Sequence, residues 1–327
     1  MNKVTFSGIQ PSGNLHIGNY LGAVRHWAEG QDEGANIFCV VDMHSITVDQ
    51  NPEELRESTL STAALLLAAG IDPEKSTLFV QSQNPDHANG GWIMSCNISM
   101  GQMGRMTQFK EKSEGKDSVS VGLFTYPALM AADILLYNTT HVPVGDDQKQ
   151  HVEIARDAAE RFNSRYGETF VLPEPVIGKT GARVMSLQNP EKKMSKSDPN
   201  QNASVFLFDE PDTITKKIMS AVTDSGSEIT RGEGKEGITN LLSIHSEFSE
   251  ISIEDAEREF SGKSYGEFKS EVAKVVVEKL SPLKEKYLEI RKDDEALINT
   301  LKKGSEKAYE ISHKKLEEVY EKVGFIK

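Results

Sequence analysis

Between residues 4 and 166, short apolar runs alternate with helix-length stretches, and this order restricts the fold more than any other property of the chain. Residues 37–41 form a continuous apolar run of the kind found in strands buried on both faces. Residues 4–9, 77–80 and 141–144 read as further strands of the same sheet. A helix pattern begins near Gly18 and carries Tyr20, Leu21, Val24 and Trp27 at helical spacing. Asn51-Pro52-Glu53-Glu54 opens another helix, with Asn as cap, Pro at the first position and Glu54 completing a capping-box-like pattern. That helix runs to Ala69 and stops at Gly70. Residues 126–137 and 148–166 are also helical in pattern. A βαβα order predicts an α/β fold, a parallel sheet with helices on both faces. Ligands of such sheets bind beyond the carboxyl ends of the strands.

After Ser197 the texture changes. Asp198-Pro199-Asn200-Gln201-Asn202 reads as a loop, and from about residue 211 the pattern is mostly polar helix. Residues 226–237 are rich in glycine and charge and read as a mobile connection. We therefore expect three segments. Residues 1–197 form the sheet domain, 198–290 a smaller all-helical domain, and 291–327 a final helix placed to pack back on the first domain. With 327 residues, 37% hydrophobic and 27% charged, the chain suits a globular protein with a real core. The longest apolar stretch, residues 63–69, is too short to span a bilayer, so no membrane association is expected. Met1-Asn2-Lys3-Val4 runs straight into a strand pattern, which gives no signal peptide and a cytoplasmic expectation. Cys39 and Cys96 lie far apart and read as buried free thiols, so neither zinc nor an iron–sulfur cluster is expected. The net charge of −13 argues against indiscriminate binding of nucleic acid. It leaves room for local basic patches, and the candidates are Arg105/Lys110/Lys112/Lys116, Lys192/Lys193/Lys196 and Lys302/Lys303.

Four places carry candidate chemistry. His16-Ile17-Gly18-Asn19 sits in the turn between the first strand and its helix. A helix N-terminus suits a phosphate, Gly18 removes a side chain where a purine can lie, and His16 and Asn19 add short donors. A glycine-punctuated turn with an incidental His is the plain alternative. Lys193-Met194-Ser195-Lys196-Ser197 puts two lysines on a flexible loop, able to stabilise charge developing on a leaving pyrophosphate. A chance match to one fixed five-letter word in this chain is on the order of one in ten thousand. Gly145-Asp146-Asp147 follows a strand, where Gly145 permits close backbone approach and a carboxylate, Asp147 in preference to Asp146, can accept the hydroxyls of a ribose. A helix cap with a first-turn acid explains the same pair. Asp133 shares a helix face with Tyr126, Leu129, Met130 and Leu136/Tyr137. A carboxylate on an apolar face needs a partner: a nearby Arg or backbone N–H, or a ligand N–H at the bottom of an apolar pocket, which an indole fits. Lys112 is placed to reach a triphosphate from the side opposite the lysine loop.

These segments, taken in order, resemble the bacterial tryptophanyl-tRNA synthetase family of class I aminoacyl-tRNA synthetases. The resemblance is carried by residues 6–13, 16–20, 41–44, 105–110, 129–137 and 142–148 and by the lysine loop 193–197, and it covers nearly the whole chain. The first signature of the class commonly ends in His; Asn19 stands there, as is usual for this branch. The resemblance implies a Rossmann-type catalytic domain, a helical anticodon-binding domain and a homodimer. It implies activation of L-tryptophan by ATP, with Mg²⁺ carried by the nucleotide, and transfer to tRNA(Trp). In family terms Gln10, Pro11, Ser12, His16, Gly18 and Asn19 line the ATP site, with Gly145, Asp146 and Asp147 on the ribose side and Val184 near the adenine. The pentapeptide, Lys193 to Ser197 with Met194 and Ser195, closes that site. Lys112, Lys193 and Lys196 are the catalytic cations. Asp133 accepts the indole N–H, and Tyr126 and Gln148 hold the amino-acid head group. Phe6, Val41, His44, Val142 and Val144 wall the ring, and Gln10 and Met130 belong to the same tryptophan site. A tyrosyl-tRNA synthetase, which shares the architecture, and a non-catalytic RNA-binding paralogue are the alternatives.

Overall fold

A computed structural model of the chain describes residues 3–326 except Ser12, Asn14, Lys116, Asp117, Asp146, Asp147, 178–182 and Ser197. Packing divides the chain into two units. One comprises Met1–Ser12, Glu29–Gly178 and Asp293–Lys327; the other comprises Gly13–Ala28 and Lys179–Lys292.

The first unit is built on five parallel strands: β1 (Val4–Ile9), β2 (Ala35–Val40), β3 (Thr77–Val80), β4 (His141–Val144) and β5 (Glu174–Ile177). Their order across the sheet is β3-β2-β1-β4-β5. Phe6 pairs with Ile37 on one side of β1, and Thr5 with His141 on the other. The chain moves outward from β1 to β3 and then returns to β4 on the opposite side. The loops after β1 and β4 therefore flank the point where a sheet of this kind opens a crevice. Strand β5 was not expected from the sequence. It is an edge strand with exposed and half-buried residues and Pro175 within it, so it lacks the apolar run of an inner strand.

Helix α1 (Pro52–Ala68) begins as its sequence predicts. The Asn51 side chain accepts the N–H groups of Glu53 and Glu54 at 2.9 and 3.3 Å, and Gly70 ends the turn with φ +108°. Helix α2 (Asp86–Asn97) gave no clear signal, because Gly90 and Gly91 are poor helix formers. Its outer face exposes Cys96, which corrects the expectation that both cysteines are buried; Cys39 is. Helix α3 (Val121–Leu135) starts five residues before the expected 126, since Ser120 caps the N–H of Leu123 at 3.1 Å. Helix α4 (Lys149–Tyr166) ends at Gly167. Phe6, Ile37, Phe79, Val142 and Phe162 lie in the common core.

Helices of the second unit include α5 (Pro211–Met219), α6 (Glu236–Ser249), α7 (Ile253–Glu259) and α8 (Tyr265–Ile290). Packing draws the boundary elsewhere than at residue 197. Residues 13–28 belong with the helical part because Ile17 N–H donates to Val205 O at 3.0 Å and Leu207 N–H to Leu15 O at 2.9 Å.

Helix α9 (Asp294–Val323) belongs to the first unit and covers the edge strand β3, an edge that would otherwise offer itself for pairing. Ser305 Oγ donates to Gln83 O at 3.1 Å, Lys307 Nζ to Pro73 O at 3.0 Å, and Leu316 and Val319 are buried in the core. Gly304 permits the contact: a Cβ there would stand 1.8 Å from Leu78 O. We expect Gly304→Ala to force the helix off the strand and lower the unfolding free energy by about 3 kcal/mol in spite of the better helix former. A thermal midpoint equal to wild type would contradict this approach.

Candidate active site

In the second unit, His16 caps a helical turn (Ile17–Asn19) that continues through the π-helical turn Tyr20–Val24 into Arg25–Glu29. His16 Nδ1 accepts the N–H of Gly18 at 3.1 Å, and Asn19 Oδ1 accepts the N–H of His16 at 3.1 Å. Burial, and then the charges of Lys193 and Lys196, push the His16 pKa down to about 4. The ring is therefore neutral near pH 7. Its Nδ1 is already an acceptor, so the proton sits on Nε2, which becomes a donor. The two sequence signatures are thus brought within electrostatic reach of each other. A Cβ at Gly18 would meet the His16 ring at 3.0 Å and Val184 Cβ at 3.4 Å, which leaves a bare backbone between the turn and Val184.

The lysine loop is held by a short antiparallel contact. Met194 N–H donates to Val184 O at 3.0 Å and Ser186 N–H to Lys192 O at 2.8 Å, with Met194 itself buried. Asn240 of α6 clamps the same segment, accepting Met185 N–H at 2.8 Å and donating to Met185 O at 2.9 Å. Ser195 O accepts the Ser204 hydroxyl at 2.9 Å. Lys196 is exposed, and partial desolvation lowers its pKa. Ser12, Asp146, Asp147 and Ser197, expected in the nucleotide site, lie outside the described residues.

In the first unit, Asp133 is 1% exposed. Its partners are neither an Arg nor a backbone N–H. His44 Nε2 lies 2.8 Å from Oδ2, and His87 Nδ1 and Gln81 Nε2 lie 2.6 and 2.7 Å from Oδ1. Gln81 Oε1 accepts Met43 N–H at 3.2 Å, which fixes its amide with the NH₂ toward Asp133. Burial alone raises a carboxyl pKa. Here the hydrogen bonds and electrostatic attraction of His44 and His87 outweigh it and hold the group well below the usual carboxylate range. His44, expected as a wall, is a hydrogen-bond partner of the acid, and its ring edge also meets Tyr126 at 6.1 Å. Phe6, Val41 and Val142 are buried around the same core, with Met130 and Val144 partly buried against it. Phe6 stacks on Tyr137 at 5.8 Å.

Tyr126 Oη lies 2.7 Å from His151 Nε2 and 3.3 Å from Gln108 Oε1. Burial pushes its pKa up to about 12, so the phenol keeps its proton. Lys112 Nζ donates to Gln108 Oε1 at 3.2 Å and stands 5.5 Å over the Tyr126 ring. Gln10 is exposed and Pro11 buried directly after β1. Gln148 N–H donates to Gly145 O at 2.9 Å after β4.

Residues 2–281 match the family of class I tRNA synthetases (W and Y). The chain belongs to this family. It is 55% identical over 325 residues to the tryptophan–tRNA ligase of Caldanaerobacter subterraneus subsp. tengcongensis, covering 99% of each chain. Among solved structures, the tryptophanyl-tRNA synthetase of Mycoplasma pneumoniae superposes with TM-score 0.91 at 36% identity, covering 100% of this chain and 99% of that one. The Campylobacter jejuni synthetase, complexed with ADP and tryptophan, gives 0.86 at 36% identity, over 98% and 100% of the two chains. Sequence reasoning overlooked Gln81 and His87. Gln81 directly follows β3, and the rule that ligands gather beyond strand carboxyl ends pointed there.

The neutral His16 ties stability to pH. Above its ordinary pKa of 6.5 the ring is neutral in both states, and its contribution to stability is fully present. As pH falls from 6.5 towards 4 the unfolded chain takes a proton that the folded chain refuses, at a cost of up to about 3 kcal/mol. His16→Asn keeps an acceptor for the Gly18 N–H. We expect its unfolding free energy, from urea titrations at about pH 7, 6 and 5, to fall less steeply than that of wild type. Parallel profiles would exclude a depressed pKa.

Proposed function

We propose that the chain is a tryptophan–tRNA ligase that joins L-tryptophan to ATP, releases pyrophosphate, and passes tryptophan to the 3′ end of tRNA(Trp). The observation that carries the activation step is the meeting of the His16 turn with the lysine loop in one unit. Relatives at 55% identity over the full chain bear the name of that activity.

The first step is attack of the tryptophan carboxylate on the α-phosphate. An O–P bond forms and the bond to the leaving pyrophosphate breaks. The nucleophile is already ionised at neutral pH, so the protein needs no general base. Its work is positioning and stabilising charge. In this reading His16 Nε2–H and the ammonium groups of Lys193 and Lys196 serve the phosphates, and Mg²⁺ arrives with ATP as part of the substrate. Gly18 and Val184 leave room for the adenine, while Gly145 and Asp147, or Asp146, take the ribose. Lys112, held beside Tyr126, adds a further cation. In the second step a ribose hydroxyl of the tRNA attacks the acyl carbon and AMP leaves.

The amino acid is selected in the first unit. Asp133 accepts the indole N–H, and Tyr126, Gln148 and Gln10 hold the head group. Phenylalanine is rejected because the acceptor would be left short of a donor. Helices α5–α8 are the part offered to the anticodon. No helix among the described residues is long and apolar enough to cross a membrane.

The chain also exposes large apolar side chains on the first unit. Trp92 is 67% and Met100 76% exposed, and Ile46 and Val121 are similarly open, beside the bond from Ser120 Oγ to Thr47 O at 2.7 Å. A monomer does not ordinarily leave so much apolar surface wet, and we assign it to a homodimer contact. Sedimentation equilibrium should give a dimer that Trp92→Glu shifts towards monomer; a monomeric wild type would remove this assignment.

For catalysis, pyrophosphate exchange into ATP should depend on tryptophan, and Lys196→Ala should slow it by roughly 10²–10³-fold. Exchange driven by tyrosine instead would replace the substrate. An unchanged single-turnover rate would remove Lys196 from the machinery.

A further inference from the structure

The hydrogen bonds around Asp133 do not stop at the pocket. His87 is 0% exposed and uses both ring nitrogens: Nδ1 lies 2.6 Å from Asp133 Oδ1, and Nε2 lies 2.7 Å from Tyr137 Oη. Asn84 Nδ2 reaches Tyr137 Oη at 3.2 Å and Ser312 Oγ at 2.9 Å. Ser312 Oγ donates to Asp86 Oδ2 at 2.8 Å, and Asn84 Oδ1 accepts Asp86 N–H at 3.1 Å. All these side chains are buried, and Ser312 belongs to the last helix, α9.

A neutral imidazole at His87 gives this chain of bonds a consistent direction. Asp133 is an anion and only accepts, so His87 donates from Nδ1. Its Nε2 then accepts, which makes Tyr137 the donor there. The Tyr137 oxygen accepts one N–H of Asn84, and the second N–H goes to Ser312. The amide orientation of Asn84 is fixed by the Asp86 N–H. A run of buried polar groups is less favourable than an apolar core of the same volume unless its geometry is needed.

The effect falls on Asp133. A carboxylate has about four lone-pair sites. Oδ1 receives His87 and Gln81, and Oδ2 receives His44, so capacity for one more donor remains at Oδ2. We propose that His87 is a positioning residue for tryptophan selection, and that Tyr137, Asn84 and Ser312 tie its orientation to α9, so that the seating of the last helix sets the affinity for tryptophan. This rests on the reading of Asp133 as the acceptor of the indole N–H. His87 locks the rotation of the carboxylate, and the bonds behind it lock the tautomer and ring of His87.

The test is calorimetric titration of the full-length protein with tryptophan and, separately, with ATP. Tyr137→Phe should weaken tryptophan binding about tenfold, as for loss of a bond that supports a charged group, and Ser312→Ala about threefold. Affinity for ATP should stay unchanged in both. His87→Asn, which keeps a donor at the Nδ1 position, should bind tryptophan more tightly than His87→Leu. In an Asp133→Asn background the effect of Tyr137→Phe should disappear. Wild-type tryptophan affinity in Tyr137→Phe, or the same tenfold loss persisting without the carboxylate, overturns the proposal and leaves the role of Asp133 standing. Wild-type tryptophan affinity in Asp133→Asn itself overturns both. If Tyr137→Phe does not fold, Ser312→Ala decides: a selective threefold loss supports the connection, and unchanged tryptophan affinity overturns it.

Discussion

A carboxylate sealed from water costs several kcal/mol unless donors replace the solvent it has lost. At Asp133 the replacement is drawn from three different places. His44 comes from the helical turn after β2, Gln81 from the turn after β3, and His87 from α2, while the acid itself stands on α3. The charge therefore ties together segments that leave the carboxyl ends of the strands, where the chain is otherwise freest to vary. Removing any one donor leaves the anion under-solvated, so pocket geometry and local stability are two readings of the same set of bonds.

The second unit meets the opposite requirement. In the proposed reading its ligand is an anion, so its own groups must be donors or cations without repelling one another out of place. His16 solves part of this by staying neutral, because burial and two nearby lysines make a third positive charge unfavourable. Neutrality with Nδ1 committed to the backbone leaves a donor at Nε2 in a single tautomer. The lysine loop is fixed at Met194 and Met185, while Lys196 is exposed. Backbone bonds and the buried Met194 side chain anchor the loop.

Strands β1, β3 and β4 were legible within their observed limits because the residues that form them are short apolar runs framed by turns. Strand β5 and helix α2 were not, since one is an exposed edge with a proline and the other carries paired glycines. Asp133 stood out in the sequence as a charge on an apolar face. Its partners did not, because His44, Gln81 and His87 come from separate segments and only packing brings them to one point. The unit boundary was hidden for a similar reason. Residues 13–28 are drawn from the strand they follow to the segment 205–207 by two backbone bonds, and nothing in their composition announces those partners.

A hydrogen-bonded chain transmits position differently from apolar packing. A packed side chain that shifts by a few tenths of an ångström loses a little contact, and its neighbours absorb the change. A donor that shifts or flips leaves a buried acceptor unpaired, and the cost arrives at one atom. The chain from Asp133 to Ser312 runs through hydrogen bonds of fixed geometry and ends on a carboxyl group at each side, Asp133 and Asp86. Helix α9, held on β3 at Gly304 and in the core by Leu316 and Val319, gives that chain its fixed end. A specificity group set this way would be tied to the seating of α9 on β3 rather than to the side chains that line its pocket.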